Sequence, residues 1–191
     1  MRNIQQKGNL IMELQDLIQM AEQGDVEAQY KLGCLYRSKQ YLHYKAAFHW
    51  LLKAAEQRYA PAQNAAGEML RSGKKIQRNC KTAFYWFLRA AEQGESQAFF
   101  NLSESYFGGE GCKRDYEQSA YWLQKAAEAD PYNSDAQYRL GIHYFFGYGV
   151  ECDYDKAEEY FIKAAEQSCN YIGYIAMLMT PISQRKPLSG K

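Results

Sequence analysis

Apolar positions recur along this chain at two nested spacings. The short one is three and four residues, the signature of an amphipathic helix. Leu10, Leu14, Leu17, Ile18 and Ala21 follow it, and so do Ala28, Leu32, Gly33 and Tyr36. The long spacing belongs to a phrase built from an aromatic residue, a basic residue and Ala-Ala-Glu. It reads Trp50-Leu51-Leu52-Lys53-Ala54-Ala55-Glu56, and returns as Trp86-Phe87-Leu88-Arg89-Ala90-Ala91-Glu92. It returns again from Trp122 to Glu128 and from Tyr160 to Glu166, the equivalent aromatics lying 36, 36 and 38 residues apart. A period of that length marks an array of two-helix units. Each unit buries its apolar face against its neighbours, so no central core is required.

The other helix of the unit has its own pattern. Ala28, Leu32, Gly33 and Tyr36 recur as Ala62, Ala66, Gly67 and Leu70, as Ala98, Leu102, Ser103 and Tyr106, and as Ala136, Leu140, Gly141 and Tyr144. A glycine inside a helix costs roughly 1 kcal/mol against alanine. Its return at one register position predicts a second helix pressed close against it, the one bearing the tryptophan phrase. Asp25 and Asn133, each three residues before the first alanine, are candidate N-caps, and Pro61 suits a first turn. Variable loops join the helices: Arg71-Ser72-Gly73-Lys74-Lys75, Gly108-Gly109-Glu110-Gly111 and Gly147-Tyr148-Gly149-Val150. The first unit has Ser38-Lys39-Gln40 there, without glycine, so its second helix is expected to begin differently. The predicted organisation is a polar N-terminal tail (1–9), one helical repeat domain (10–180) and a mobile C-terminal tail (181–191). The domain divides into a cap helix (10–23), units at about 24–57, 58–93, 94–129 and 130–167, and an end helix at about 170–180.

Composition narrows the function classes. Hydrophobic residues make up 47% of the 191 and charged residues 24%, ordinary values for a folded domain. The net charge of +1 implies no strong pull toward nucleic acid or anionic lipid. The 17 tyrosines suit tight helix packing and equally an exposed binding face. Five cysteines (Cys34, Cys80, Cys112, Cys152 and Cys169) fall at different places in the repeat, with no Cys-x-x-Cys spacing. They are read as reduced thiols of a cytoplasmic protein. Residues 1–9 are polar, and the stretch from Leu10 is broken by Glu13, Gln15 and Asp16, so neither a signal peptide nor a membrane span is expected.

Candidate chemistry is sparse. The run Gly108-Gly109-Glu110-Gly111 lacks the strand and the Gly-Lys-Ser/Thr ending of a phosphate cradle, and reads as a turn. His43 and His49 are six residues apart and share no helix face, and His143 has no acid or thiol at ligand spacing. Glu22, Glu56, Glu92, Glu128 and Glu166 recur one unit apart, too far for paired acid–base work. No catalytic residue, metal or cofactor is expected.

The fourth unit carries Ala136, Leu140-Gly141, Tyr144, Gly147, Gly149-Val150, Asp153, Ala157 and Lys163-Ala164-Ala165. The third repeats it through Gly109-Glu110-Gly111 and Asp115, with Ser119 where alanine is expected; the first and second lack the double-glycine loop. This pattern resembles the Sel-one-like repeat, a longer-looped relative of the tetratricopeptide repeat, over about residues 21 to 167. The resemblance implies an all-α fold: a right-handed α–α superhelix, or solenoid, of about four antiparallel helix pairs with capping helices at both ends. It implies a concave face lined by the first helices, and no reaction. On that face, helical geometry selects the residues three before, one after and four after each small position. These are Tyr30, Cys34 and Arg37; Asn64, Glu68 and Arg71; Phe100, Glu104 and Phe107; and Tyr138, Ile142 and Phe145, with Tyr174 from the end helix. The early half is polar with two arginines and the later half aromatic. The expectation is a groove taking an acidic segment near Arg37 and Arg71 and an apolar one beyond; the alternative is that Phe100, Phe107, Tyr138 and Phe145 pack between units. The functional expectation is a monomeric, non-catalytic protein-interaction module. An immunity-type inhibitor that neutralises a toxin is the alternative, and an enzyme comes third.

Overall fold

The computed structural model describes residues 14–38 and 42–168, and all regular structure among them is helical. The expected N-terminal tail, residues 10–13 of the cap helix, the end helix with Tyr174 and the C-terminal tail lie outside the described residues. Helix α1 covers residues 14–22. It is followed by α2 (Val26–Arg37), α3 (Tyr44–Glu56), α4 (Ala60–Ser72), α5 (Cys80–Ala91), α6 (Ser96–Gly108), α7 (Tyr116–Ala129), α8 (Ser134–Phe146) and α9 (Tyr154–Gln167). The helices pack as consecutive pairs, α2 with α3 through α8 with α9, and each pair packs on the next.

Capping residues set where the helices begin. Asp25 and Asn133 accept the amides of Ala28 and Ala136 at 2.7 and 3.0 Å, and Pro61 lies in the first turn of α4. Before the second helices the caps are Asn79, Asp115 and Asp153, each accepting the amide three residues on at 3.0 Å. Such a cap stabilises a helix by about 1 kcal/mol. In the first unit His43 holds that place without a side-chain cap, which is the departure expected there.

The recurring small residue answers to one contact. A Cβ added to Gly33 would lie 2.6 Å from Cγ of Leu51, and one added to Gly67 would lie 2.6 Å from Cε1 of Phe87. Gly141 is closed in the same way by the ring of Phe161. Leu51, Phe87, Leu123 and Phe161 are completely buried, and each is the residue directly after the repeated aromatic. The aromatics themselves are half-buried and lean back on the preceding unit. Trp50 packs on Ala21, Ala28 and Leu32; Trp86 on the Leu51 cluster; Trp122 on the Phe87 cluster; and Tyr160 on the Leu123 cluster. The tryptophan phrase therefore does two jobs. Its aromatic joins neighbouring units, and the next residue locks the two helices within a unit.

The third unit departs in pairs. Ser103 replaces the glycine and Ser119 the alanine facing it; their hydroxyls lie 3.2 Å apart, and Ser119 donates to the Ser103 carbonyl at 3.0 Å. Glutamines show the same coupling. Gln57 Nε2 donates to Gln29 Oε1 at 2.8 Å and Gln93 Nε2 to Gln63 Oε1 at 2.7 Å, tying the end of each second helix to its own first helix. In the third unit Phe99 and Ala129 occupy both positions, and Phe99 stacks on Trp122 instead, at 5.7 Å.

The double-glycine loops are contacts between units. Gly109 and Gly147 end α6 and α8 with φ of 71° and 70°. Two residues on, Gly111 and Gly149 press against the backbone carbonyls of Cys80 and Tyr116, in the first turns of α5 and α7, leaving no space for a side chain. Beyond them His143, 2% exposed, bridges units three and four. Its Nδ1 lies 2.7 Å from the Tyr148 carbonyl, which can only accept, so Nδ1 carries the proton. Nε2 faces the Ser119 hydroxyl at 3.4 Å. The rings of Phe107 and Tyr148 flank it. Burial holds the His143 pKa below its ordinary value; the Tyr148 carbonyl opposes this and the Arg139 charge adds to it.

Two outcomes follow. Gly67→Ala should gain helix propensity yet lower stability by about 1–2 kcal/mol, because forcing a methyl against a ring that cannot move costs about 1–3 kcal/mol; urea unfolding measures it. For His143, the unfolded chain takes up a proton near pH 6.5 and the folded one only at lower pH. Its contribution to stability is therefore present above that pH and lost as the pH falls through it toward the folded value. The urea midpoint should drop between pH 7.5 and 5.5, and drop less in His143→Gln.

Candidate partner-binding face

The first helices α2, α4, α6 and α8 lie side by side, and polar side chains link each to the next. Arg37 Nη1 donates to Glu68 Oε2 at 2.9 Å, joining α2 to α4. Asn64 Nδ2 donates to the other Glu68 oxygen at 3.2 Å. From α6, Asn101 Nδ2 donates to Asn64 Oδ1 at 2.7 Å, and Arg71 Nη2 donates to Asn101 Oδ1 at the same distance. Arg139 on α8 then donates to Glu104 on α6 at 2.9 Å. The bonds form two sets, one joining α2, α4 and α6 and the other joining α6 to α8, and together they span all four units. Asn64 and Asn101 are buried, so each amide bond stabilises the stack by about 1 kcal/mol net, and losing one partner would cost more than that. The two ion pairs remain about one-third exposed, where such pairs contribute about 0–1 kcal/mol.

This network changes the part open to the two arginines. Arg37 already holds the carboxylate of Glu68, so it is not an open anion receptor. Arg71 differs: its guanidinium contacts a neutral amide and lies over the Phe87 ring at 5.1 Å. Among the cations of this face, it is the one without a carboxylate pair among the described residues. Glu104 is pushed above its usual pKa by burial, with Arg139 and Arg71 pulling it back. Tyr30 is pushed up to about 12 by burial and by Cys34 beside it, so it stays a neutral hydroxyl. Its ring meets Tyr59 edge-on at 5.3 Å.

The aromatic half packs in part against neighbouring helices and loops and keeps part of its surface open. Phe100 lies on the Leu123–Leu140 cluster, and Tyr138, Ile142 and Phe145 lie on Ala157 and Phe161. Phe107 sits among Tyr116, His143 and Tyr148. These rings contact the next helix or loop, and remain only part-exposed. Tyr174 lies outside the described residues. Asn101 and Arg139, central to the network, were not singled out by the helical rule. Each follows a selected aromatic, Phe100 or Tyr138, and the available signal was a polar residue at a non-repeating position.

Ser119 and His143 are the nearest thing to a nucleophile–base pair. The serine is completely buried and already donates to a backbone carbonyl, so no substrate reaches it. Among the described residues no three His, Cys, Asp or Glu side chains converge as a metal site would require. Cys34, Cys80, Cys112 and Cys152 are free thiols, and no described helix is long and apolar enough to cross a membrane.

Comparison with known proteins agrees with this architecture. A comparison with curated proteins finds no match. Among solved structures, a protective antigen of uropathogenic Escherichia coli displaying an SLR fold is 36% identical, with a TM-score of 0.76. The match covers 85% of this chain and 36% of that one. A Sel1 repeat protein from Oxalobacter formigenes is 31% identical over 81% of this chain and 64% of its own, with a TM-score of 0.70. Cysteine rich protein B of Helicobacter pylori is 26% identical over 64% of this chain and 93% of its own, at a TM-score of 0.52. The chain thus spans less than two thirds of the first two structures it resembles. The Sel1 repeat itself matches four times in succession, over residues 26–59, 60–95, 96–131 and 134–169, so this chain belongs to the Sel1 repeat family.

Proposed function

We propose that this chain is a non-catalytic protein-interaction module that takes a partner segment along its first-helix face. The observation that carries the reading is a row of bonded side chains in two sets, Arg37 to Arg71 and Glu104 to Arg139. It holds side chains of different chemistry at fixed positions on one continuous surface, although the scaffold beneath them repeats. A partner meeting that row finds fixed donors and acceptors and loses little of its affinity to ordering them. Arg71 is the anchor for an acidic group, and the part-exposed rings of Phe100, Tyr138 and Phe145 are the apolar end. The four cysteines among the described residues are free thiols, in keeping with a reducing, cytoplasmic setting, and the module acts as a monomer.

Affinity capture from the native cell, followed by mass spectrometry, tests the reading. The wild-type chain should retain a protein that Arg71→Ala and Arg139→Ala retain about tenfold less, in line with about 1.4 kcal/mol per tenfold. Equal retention by both variants, each shown to be folded by circular dichroism, would remove this face from consideration.

A further inference from the structure

The loops within the units share one edge of the array, with the C-termini of α2, α4, α6 and α8 and the N-termini of α3, α5, α7 and α9. Over the first three units that edge carries Lys45, Lys75, Lys81, Lys113 and Arg114, all exposed. None of the five makes an ion pair among the described residues. On the helix flanks the situation is the reverse, with Lys31 on Glu27, Arg89 on Glu92, Lys125 on Glu128 and Lys163 on Glu159. The acids of the edge are largely occupied: Glu110 is held by Arg78 at 2.8 Å, and Asp115 by the Gln118 amide. Over these three units Glu117 is the acid left to oppose five cations, and exposed Glu151 and Asp155 follow in the fourth. The opposite edge, where each second helix meets the next unit, bears exposed Glu22, Glu56 and Glu166, together with Glu92 and Glu128, which are paired with Arg89 and Lys125. A net charge of +1 thus conceals a separation of charge between the two edges.

The basic edge is also shaped. Between the loops of units one and two lies a hollow of about 430 Å³, lined by Leu42, Tyr44, Lys45 and Lys75. Between those of units two and three lies another of about 630 Å³, with Arg78, Lys81, Gly111 and Lys113 on its walls. Leu42 is 52% exposed and adopts a positive φ of 52°, a strained conformation for leucine that presents it at the surface. Lys74 Nζ stands 5.2 Å over the Tyr44 ring beside it.

We propose that this edge is a second docking surface, and that its occupant is an acidic segment of a partner protein with an apolar residue seated on Leu42. Charge complementarity selects the acid, because unpaired surface cations gain most from an incoming carboxylate. The leucine selects protein over nucleic acid, since it has nothing to offer a phosphate. The acidic opposite edge and the near-zero net charge work against a long polyanion as well. This surface adjoins the C-terminal ends of the first helices, where Arg78 donates to the Arg71 carbonyl, yet it uses none of the side chains of the first-helix face, and either can fail without the other.

Fluorescence anisotropy with three labelled probes tests it: a peptide of about a dozen Asp and Glu residues around a central leucine, its Asn/Gln counterpart, and a single-stranded DNA of about twenty nucleotides. The acidic peptide should bind in preference to both others and weaken as salt rises. Lys81→Glu with Lys113→Glu should weaken it about tenfold or more, and Lys45→Glu with Lys75→Glu should do the same from the other hollow. Leu42→Ser should weaken it several-fold, and Lys31→Ala, on the flank of α2, should leave it unchanged. Circular dichroism confirms that each variant is folded. Equal binding of the neutral peptide, tighter binding of DNA, or persistence of binding in both charge-reversed variants would overturn the proposal. So would salt-sensitive self-association of the chain that the same reversals abolish, since the occupant would then be the acidic edge of a second copy.

Discussion

The approach of each second helix to its first is limited by one contact, a large apolar side chain lodged where the first helix has almost none. Leu51 against Gly33, Phe87 against Gly67 and Phe161 against Gly141 set this separation, and the rest of each unit is arranged around it. The glycine gives up about 1 kcal/mol of helix propensity. A completely buried leucine or phenylalanine returns about 1.5–3 kcal/mol, so the exchange favours packing. Because the contact is steric, it tolerates little drift. When the small residue becomes Ser103, the neighbouring alanine position becomes Ser119 and the two hydroxyls satisfy one another. His143 then reaches Ser119 from the next unit, so a change inside one unit is felt across the junction.

A scaffold held in this way leaves its first-helix face free to vary. Apolar contacts at the helix interface do most of the stacking, and the polar side chains between Arg37 and Arg139 add to it mainly through the buried amides of Asn64 and Asn101. Their exposed ion pairs contribute little to stability. What such bonds do supply is position. Asn64 and Asn101 have no freedom to turn without breaking a buried bond, and they fix Glu68 and Arg71 on either side.

The repeat was legible because its determinants recur. Period, helix pairing, the small-residue contact and the caps at Asp25 and Asn133 all follow from residue types at a fixed register. What the tryptophans do was not legible at that level. Trp50 and Leu51 are adjacent apolar residues on one helix, and periodicity alone does not say which meets the partner helix and which the preceding unit. The candidate face was legible as a surface, but its internal bonds were not. Arg37 and Glu68 are 31 residues apart, and Asn64 and Asn101 are 37 apart. Nothing local marks either pair. A helical rule that selects Phe100 passes over Asn101, although the difference between them is only about 100° around the helix axis.

Charge pairing separates the two surfaces in kind. On the first-helix face nearly every cation has an internal acceptor, so an incoming carboxylate must compete with Glu68 or Glu104 and gains only the difference. Such a surface discriminates by shape and hydrogen-bond pattern, because a poorly matched partner breaks bonds it cannot replace. At the loop edge Arg78 alone of the named cations is held by an acid; Lys45, Lys75, Lys81, Lys113 and Arg114 have no ion pair among the described residues, and a carboxylate reaching them displaces only water and salt. That surface attracts over a range set by screening, about 8 Å at physiological ionic strength, and speeds encounter more than it sharpens choice. The distinction arises from the fold. Side chains on helix flanks have neighbours one turn or one unit away, whereas those on loops between helix ends have few. A helical array thus tends to satisfy its faces and leave its edges charged, and in this chain the edge cations gather over the first three units.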